Sequence, residues 1–375
     1  MPTKRSLQIA TALSAILAAG IAAGQIGAGP SATPSELRSV PAEQTIAAYV
    51  DPDWEVPRTS WGDPALGGVW SVDDMRGIPR QRPTEQADRE LLTPDEFQAR
   101  AGRDQGGRNR AEETETFLRN EYGIRTFGFT SMVVEPADGR VPPMNEMGRA
   151  RAEATRGRGT FGPGPFNSFD DFSLYDRCIT RGIFGSVMPS IYGNGIRIAQ
   201  SPNAVSISYE MIHDTRIIRL DGRPELDDDI DQYMGLSRGH WEGDTLVVEA
   251  THFTDQTSAG AGGPHSTELK LTERYTRVDP DMIEYRVTID DPQTFTAPFT
   301  YRVMISTQPD YEVYEYSCHE GNGAVGNSLS GERAFEREVA EALANGLPAP
   351  TRGNGQSIYR PPSEDAEIFD INDGE

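Results

Sequence analysis

The stretch from Gly195 to Cys318 constrains the fold most, because apolar and aromatic runs of strand length alternate there with turn chemistry. The runs are "GIRIAQ", "AVSISYEMI", "TRIIRL", "SRGHWE", "TLVVEA", "STELKLTERYTRV", "MIEYRVTI", "FTYRVMIS" and "YEVYEYSC". Between them lie "SPN", "DGRP", "GD", "DPD", "DDP" and "QPD", whose Gly, Pro, Asn and Asp favour turns. In "HWEGDTLVV" the pair Gly243-Asp244 between two apolar runs suits a two-residue hairpin. "YTRVDPDMIEYRV" is a second hairpin by the same reasoning. Eight or nine such runs predict an antiparallel meander. A sheet of that size hides its edges by closing on itself. The expected fold is therefore mainly β, a meander closing into a barrel or half-barrel, with a few helices. "DPALGGVWSV" (63–72), anchored by Trp70, and "FTSMVVEPADGRVPPM" add short strands upstream.

Helices are sparse. "LTPDEFQAR" carries Thr93 as N-cap, Pro94 at the first helical position and Glu96 at the third, a marked helix start. "SGERAFEREVAEALANG" (330–346) predicts a second helix, with Ser330 as N-cap, Phe335, Val339 and Leu343 on one face, and Gly346 at the stop. Residues 146–170, including "RARAEATRGRGTFGPGPFNSFDD", read as a mobile flap or surface excursion. No internal repeat is present. Residues 51–346 read as one barrel-like domain with an N-terminal extension, and 347–375 as a disordered acidic tail.

The N-terminus combines Lys4 and Arg5 with the apolar, small-residue run "LQIATALSAILAAGIAAG". Residues 1–24 therefore read as a secretory signal peptide, with an uncleaved anchor as the alternative, and 25–50 as a linker. No later stretch approaches the ~20 apolar residues of a membrane span. The mature chain is expected outside the cytoplasm, periplasmic or extracellular, and not inserted in a membrane. In such a compartment Cys178 and Cys318, the two cysteines of the chain, are expected to pair. The formal charge of −23 argues against nucleic acid and against docking on anionic lipid, both of which need a basic surface.

The segments "YEMIHDTRIIRLDGRP", "SRGHWEGDTLVVEATHF" and "YEYSCHEGN", in that order, resemble signature segments of a family of exported bacterial hypothetical proteins. The resemblance spans about residues 120–340 and implies no mechanism. A meander with one trailing helix is also similar in outline to lipocalin-like barrels, an analogy of fold alone.

Candidate chemistry concentrates in these segments. In "ISYEMIHDTRII" a continuous strand would put Tyr209, Met211 and His213 on one face, toward a barrel interior; a turn at His213-Asp214 would put His213 at a rim. Either placement suits a general base near neutral pH. Glu210, Asp214 and Arg216 fall on the other face, where an exterior charge ladder is the plainer reading. Arg238 and Glu242 in "SRGHWEGD" can pair across a rim. Trp241 reads as a packing residue and Asp244 as a turn residue. In "YEVYEYSCHEGN", alternation sets Tyr311, Val313, Glu315 and Ser317 against Glu312, Tyr314, Tyr316 and Cys318. His319, Glu320 and Asn322 follow at a glycine-flanked exit.

The function expected from these residues is cofactor-independent acid–base chemistry on a small molecule in a barrel cavity: a lyase, hydratase or isomerase. His213, His319 and Glu320 would be catalytic, and Tyr209, Glu210, Arg216, Arg238, Tyr316 and Asn322 would contact the ligand. The alternatives are a non-catalytic ligand-binding or carrier protein, a Zn²⁺- or Fe²⁺-dependent enzyme built on the five histidines (His213, His240, His252, His265 and His319), and a barrel filled by its own side chains. The chain has no GxSxG elbow, P-loop, GxGxxG helix opening or CxxC pair, which argues against nucleotide-dependent and serine-hydrolase chemistry.

Overall fold

A computed structural model describes residues 54–86, 89–113, 123–155, 164–222, 230–257, 263–308 and 311–351. The proposed signal peptide, the linker and most of the acidic tail lie outside the described residues. Ten strands form one sheet: β1 (Gly68–Ser71), β2 (Val133–Glu135), β3 (Gly195–Ser201), β4 (Ala204–Tyr209), β5 (Thr215–Arg219), β6 (Leu236–Glu242), β7 (Thr245–Thr251), β8 (Lys270–Asp279), β9 (Met282–Asp290) and β10 (Phe299–Ser306). The order is β1-β3-β4-β5-β6-β7-β8-β9-β10-β2, and a β1–β10 pairing at Ser71↔Ser306 closes nine of these strands into a barrel. β2 pairs with β10 at Thr300–Tyr301 and stands outside that ring.

The expected runs became strands, with three corrections. Eight of the nine β-rich runs appear as β3–β10. "YEVYEYSC" does not form a strand, although its residues look suited to one. The edge of β10 that it would extend is already taken by β1 and β2. Second, the meander is not wholly antiparallel. β5 meets β6 in parallel at Arg219↔Arg238. Third, "AVSISYEMI" stops as a strand at Tyr209, and a tight turn with Ile212 and His213 at positive φ (66° and 49°) reverses the chain into β5. The Gly243-Asp244 hairpin forms as expected, with Glu242 opposite Thr245 and Gly243 at φ 60°, a conformation glycine adopts without strain.

Alternation then decides what fills the barrel. Val205, Ile207 and Tyr209 of β4, Leu246, Val248 and Ala250 of β7, and Tyr285, Val287 and Ile289 of β9 are all buried. Trp70, Tyr275, Phe299 and Tyr301 complete a core of large side chains, each nearly inaccessible to solvent. The tight hairpins after β3, β6 and β8 lie at one end. The short helix α3 (Gly182–Val187) plugs the other, with the Phe184 ring 4.8 Å from Tyr301.

The outer face of β10 is covered by the segment between β1 and β2. Arg302 lies over the Phe129 ring at 3.9 Å and donates to Glu90 at 2.8 Å. Buried Asp74 pairs with Arg125 at 3.0 Å. Helix α1 (Pro94–Glu113) opens with the expected capping box: Thr93 N–H donates to Glu96 at 2.7 Å and Glu96 N–H to Thr93 Oγ1 at 3.4 Å. α2 (Glu146–Ala154) forms where a flap was expected, N-capped by Asn145, which accepts from Gly148 N–H at 2.9 Å. The last helix, α4 (Ala324–Ala344), begins upstream of Ser330. Ser330 is therefore not its N-cap, and its hydroxyl donates within the helix to Asn327 O at 3.1 Å.

Candidate functional site

Two polar clusters stand out, one inside the barrel and one at its plugged end. The interior cluster centres on Arg216. The turn at 210–214 shifts the register so that Arg216 follows the inward face of β5 with Ile218, which corrects the exterior placement. Its guanidinium donates to both Glu273 oxygens, at 2.6 and 2.7 Å, and also to Tyr275 Oη at 2.8 Å and Ser237 Oγ at 3.2 Å. The Tyr275 and Tyr285 hydroxyls donate to the same carboxylate at 2.9 and 2.8 Å. Burial opposes the Arg216 charge, but Glu273 overrides it and holds the guanidinium well above its ordinary pKa. Burial, reinforced by the Glu273 charge, raises the Tyr275 and Tyr285 phenols far above the usual range. Tyr209 points inward as expected; its phenol has no aligned hydrogen bond, and burial pushes it up to about 12. This network anchors the core, with Arg216 Nε left without a hydrogen-bond partner.

The second cluster is organised by the Cys178–Cys318 disulfide, which ties the segment before α3 to residues 311–323. Tyr316 lies beside Tyr192, with ring centroids 6.2 Å apart, and the Tyr175 phenol is near both. Arg181 lies over the Tyr175 ring at 5.5 Å. Asn322 donates to Asp176 O at 3.0 Å. His213 Nδ1 is 3.2 Å from Tyr316 O, so the rim alternative for His213 holds. Burial first, then hydrogen bonds to Tyr175 and Tyr192, push the Tyr316 phenol well above its ordinary value. Burial lowers Arg181, and the neighbouring Arg80 adds to that.

The remaining candidates scatter. His319 and Glu320 are exposed on the turn after Cys318. Glu210 is buried, not exterior, and accepts from Tyr311 Oη at 2.5 Å. Asp214 accepts from Thr180 Oγ1 at 2.5 Å. Arg238 sits in the β5–β6 bridge and does not meet Glu242, which pairs with Arg274 at 2.8 Å and His240 at 3.3 Å. Trp241 packs on the core, and Asp244 pairs with Arg58. The alternation expected for 311–318 breaks at Glu315, since Tyr311, Val313, Tyr316 and Cys318 are the covered residues. His265 is fully buried between Thr257 Oγ1 (2.7 Å) and Ser266 O (2.9 Å). Among the described residues no group of three or more His, Cys, Asp or Glu is arranged to hold a metal ion.

The described residues also form two concavities. One of about 320 Å³, open to solvent, is formed by Met75, Arg76, Ile78, Arg80, Met132 and the segment Pro189–Ile191. The other, about 270 Å³, lies on the outer wall of β8–β10. Its polar groups largely satisfy each other: Thr288 with Thr300 at 2.9 Å, Thr300 with Glu135 at 2.7 Å, and Arg286 with Glu284 at 2.8 Å. Of the two, the first has apolar walls; its Arg80 acts on Arg181, and its Ile191 directly precedes Tyr192 in the chain. Arg181, Tyr175 and Tyr192 escape pattern reading because "SLYDRCITRG" and "IYGNG" have no periodicity. Their one signal is proximity to Cys178. Comparison of the chain with family models, curated proteins and solved structures gives no match.

Proposed function

We propose that this is an exported small-molecule-binding protein, periplasmic or extracellular, whose ligand lies in the crevice beside the plugged end of the barrel. The observation that carries the reading is the contrast between the two spaces. The barrel interior is occupied by Trp70, Tyr209, Tyr275, Tyr285, Phe299 and Tyr301, whereas the crevice offers about 320 Å³ between apolar walls with cationic groups at its rim. Apolar walls with a few placed polar groups are the usual form of a small-ligand site. Export draws support from the N-terminal pattern and from the disulfide, which persists in oxidising compartments.

Proton-transfer catalysis of the lyase, hydratase or isomerase type is the second reading. Its support is the meeting of His213 with Tyr316 O, three residues before His319. Full turnover in His213→Ala and His319→Ala variants would sink it. The binding reading is tested by titrating the purified chain with the neutral fluorophore N-phenyl-1-naphthylamine. Saturable enhancement is expected, and Ile191→Asp should abolish it. Ile191 is 58% exposed, so the variant leaves the core intact. A wild-type chain that does not bind the dye, or an Ile191→Asp chain that binds it equally, refutes the crevice.

A further inference from the structure

The chain carries 58 acidic residues against 35 Lys and Arg, so a cation drawn partly out of water would ordinarily find a carboxylate. Arg216 does. Arg181, among the described residues, does not. It is partly buried and lies over the Tyr175 ring at 5.5 Å. Acids carried by or bonded to the preceding segment have other partners: Asp214 accepts from Thr180 at 2.5 Å, Asp170 pairs with Arg177 at 3.6 Å, and Asp176 accepts from Ser173 at 2.6 Å. Arg80, also without an ion pair among the described residues, adds a second positive charge nearby. A partly desolvated guanidinium beside another cation is costly unless something neutralises it.

The groups around Arg181 are hydroxyls. Tyr175, Tyr192 and Tyr316 bring three phenols together from three separate segments, and the Cys178–Cys318 bridge fixes two of those segments relative to each other. Each phenol both donates and accepts, so three phenols can satisfy one another and still turn their protons toward an incoming acceptor. A guanidinium fork meets two oxygens of a carboxylate, phosphate or sulfate side by side, and hydroxyl donors complete the shell.

We infer that Arg181, together with the Tyr175, Tyr192 and Tyr316 hydroxyls, forms a subsite for a small oxyanion, the charged head of the ligand that the adjoining crevice holds. The identity of that ligand as amphiphilic rests on the crevice reading; the subsite itself does not. Burial and Arg80 both disfavour the Arg181 charge, and a bound anion reverses both effects. The overall acidity of the chain makes the subsite selective: other anions are repelled from the general surface and held only where two cations stand together.

The test uses the full chain at low ionic strength, titrated separately with inorganic phosphate, sulfate and acetate and followed by tyrosine difference absorbance and calorimetry. One-to-one saturable binding of at least one anion is expected, and the three arms tell a phosphoryl or sulfuryl head from a carboxylate. Arg181→Gln and Tyr316→Phe should each weaken it ~10-fold or more, as loss of a charge-assisted bond does, while Arg181→Lys should retain part of it. The anion should raise the thermal midpoint of the wild type and not that of Arg181→Gln, which separates loss of binding from loss of folding. Absence of saturable binding by all three anions, or wild-type affinity in both Arg181→Gln and Tyr316→Phe, overturns the subsite. Ile191→Asp, which removes dye binding, should leave anion binding in place, so failure of the crevice and failure of the subsite give different results.

Discussion

Replacing Glu273 by Leu would leave the Arg216 guanidinium without its counter-charge in the middle of the barrel. The carboxylate receives four hydrogen bonds of 2.6–2.9 Å. At ~1.5–3 kcal/mol for each bond to a charged group, their simple sum overshoots. Arg216 keeps Tyr275 at 2.8 Å and Ser237 at 3.2 Å, so part of its shell survives. An unpaired buried charge typically costs ~3–5 kcal/mol, and that is the loss expected of Glu273→Leu. Arg216→Met behaves differently, because a carboxyl can take up a proton whereas a guanidinium cannot give one up. In that variant the carboxyl keeps only the Tyr275 and Tyr285 donors, so Arg216→Met is expected to destabilise as well. The penalty of Glu273→Leu should stay flat between about pH 5 and pH 8, where the guanidinium does not titrate. The double variant removes both charges and should recover most of either loss. Urea unfolding followed by tryptophan fluorescence, on the wild type and the three variants at two pH values, measures all of this. A Glu273→Leu protein within ~1 kcal/mol of the wild type, or a double variant that simply sums the singles, would refute the reasoning.

Three further outcomes are expected. The disulfide joins residues 140 apart, and the chain-entropy model gives ~5 kcal/mol for a loop of that length, so Cys178→Ala/Cys318→Ala should unfold at markedly lower urea than the oxidised chain. Gly148→Ala in α2 should destabilise despite the better helix propensity of alanine, by ~1–3 kcal/mol of overpacking, because its Cβ would stand 2.3 Å from Thr294 O; a stabilised variant in thermal unfolding would contradict this. His265 is held below its ordinary pKa by burial, so its contribution is present above the unfolded value of ~6.5 and is lost as pH falls through the folded one. His265→Gln should remove that acid sensitivity, a slope of up to ~1.4 kcal/mol per pH unit, from the stability–pH curve.

Strands and hairpins were legible because period-2 burial and turn residues are local properties. The β6–β7 and β8–β9 hairpins and the capping box at Thr93 and Glu96 follow directly from them. What failed was non-local. "YEVYEYSC" has the composition of a strand, but strand formation needs an open edge, and barrel closure through β1 leaves none on β10. Arg216 is exterior only if "ISYEMIHDTRII" runs as one continuous strand; with the turn, positive φ at Ile212 and His213 reverses the parity downstream. Once the parity is right, the pair is visible in the sequence itself. Arg216 alternates with Ile218, and Glu273 with Leu271 and Tyr275, so opposite charges occupy inward positions on β5 and β8. The paired histidine and glutamate at 319–320 drew attention by residue type, yet they occupy an exposed turn, while Arg181 and Tyr192, in unpatterned segments, are brought to Tyr316 by the fold and held there by the bridge.

The two withdrawn guanidiniums separate structure from function in this molecule. Arg216 has a carboxylate, two hydroxyl acceptors and no route to solvent, so its network gains nothing from a ligand and loses much from disturbance. Arg181 has an aromatic face on one side, phenols nearby and, among the described residues, no carboxylate, and it neighbours Arg80 of the open crevice. A fold that supplies a bidentate carboxylate to one withdrawn arginine had the means to do so for the other, since carboxylates outnumber cations in the chain. The incomplete shell is therefore best understood as completed from outside, and the disulfide as the device that keeps Tyr175 and Tyr316 in place while the site is empty. Reduction of the bridge should accordingly weaken anion binding before it unfolds the barrel, an order that tyrosine absorbance and tryptophan fluorescence can read in one titration with reductant.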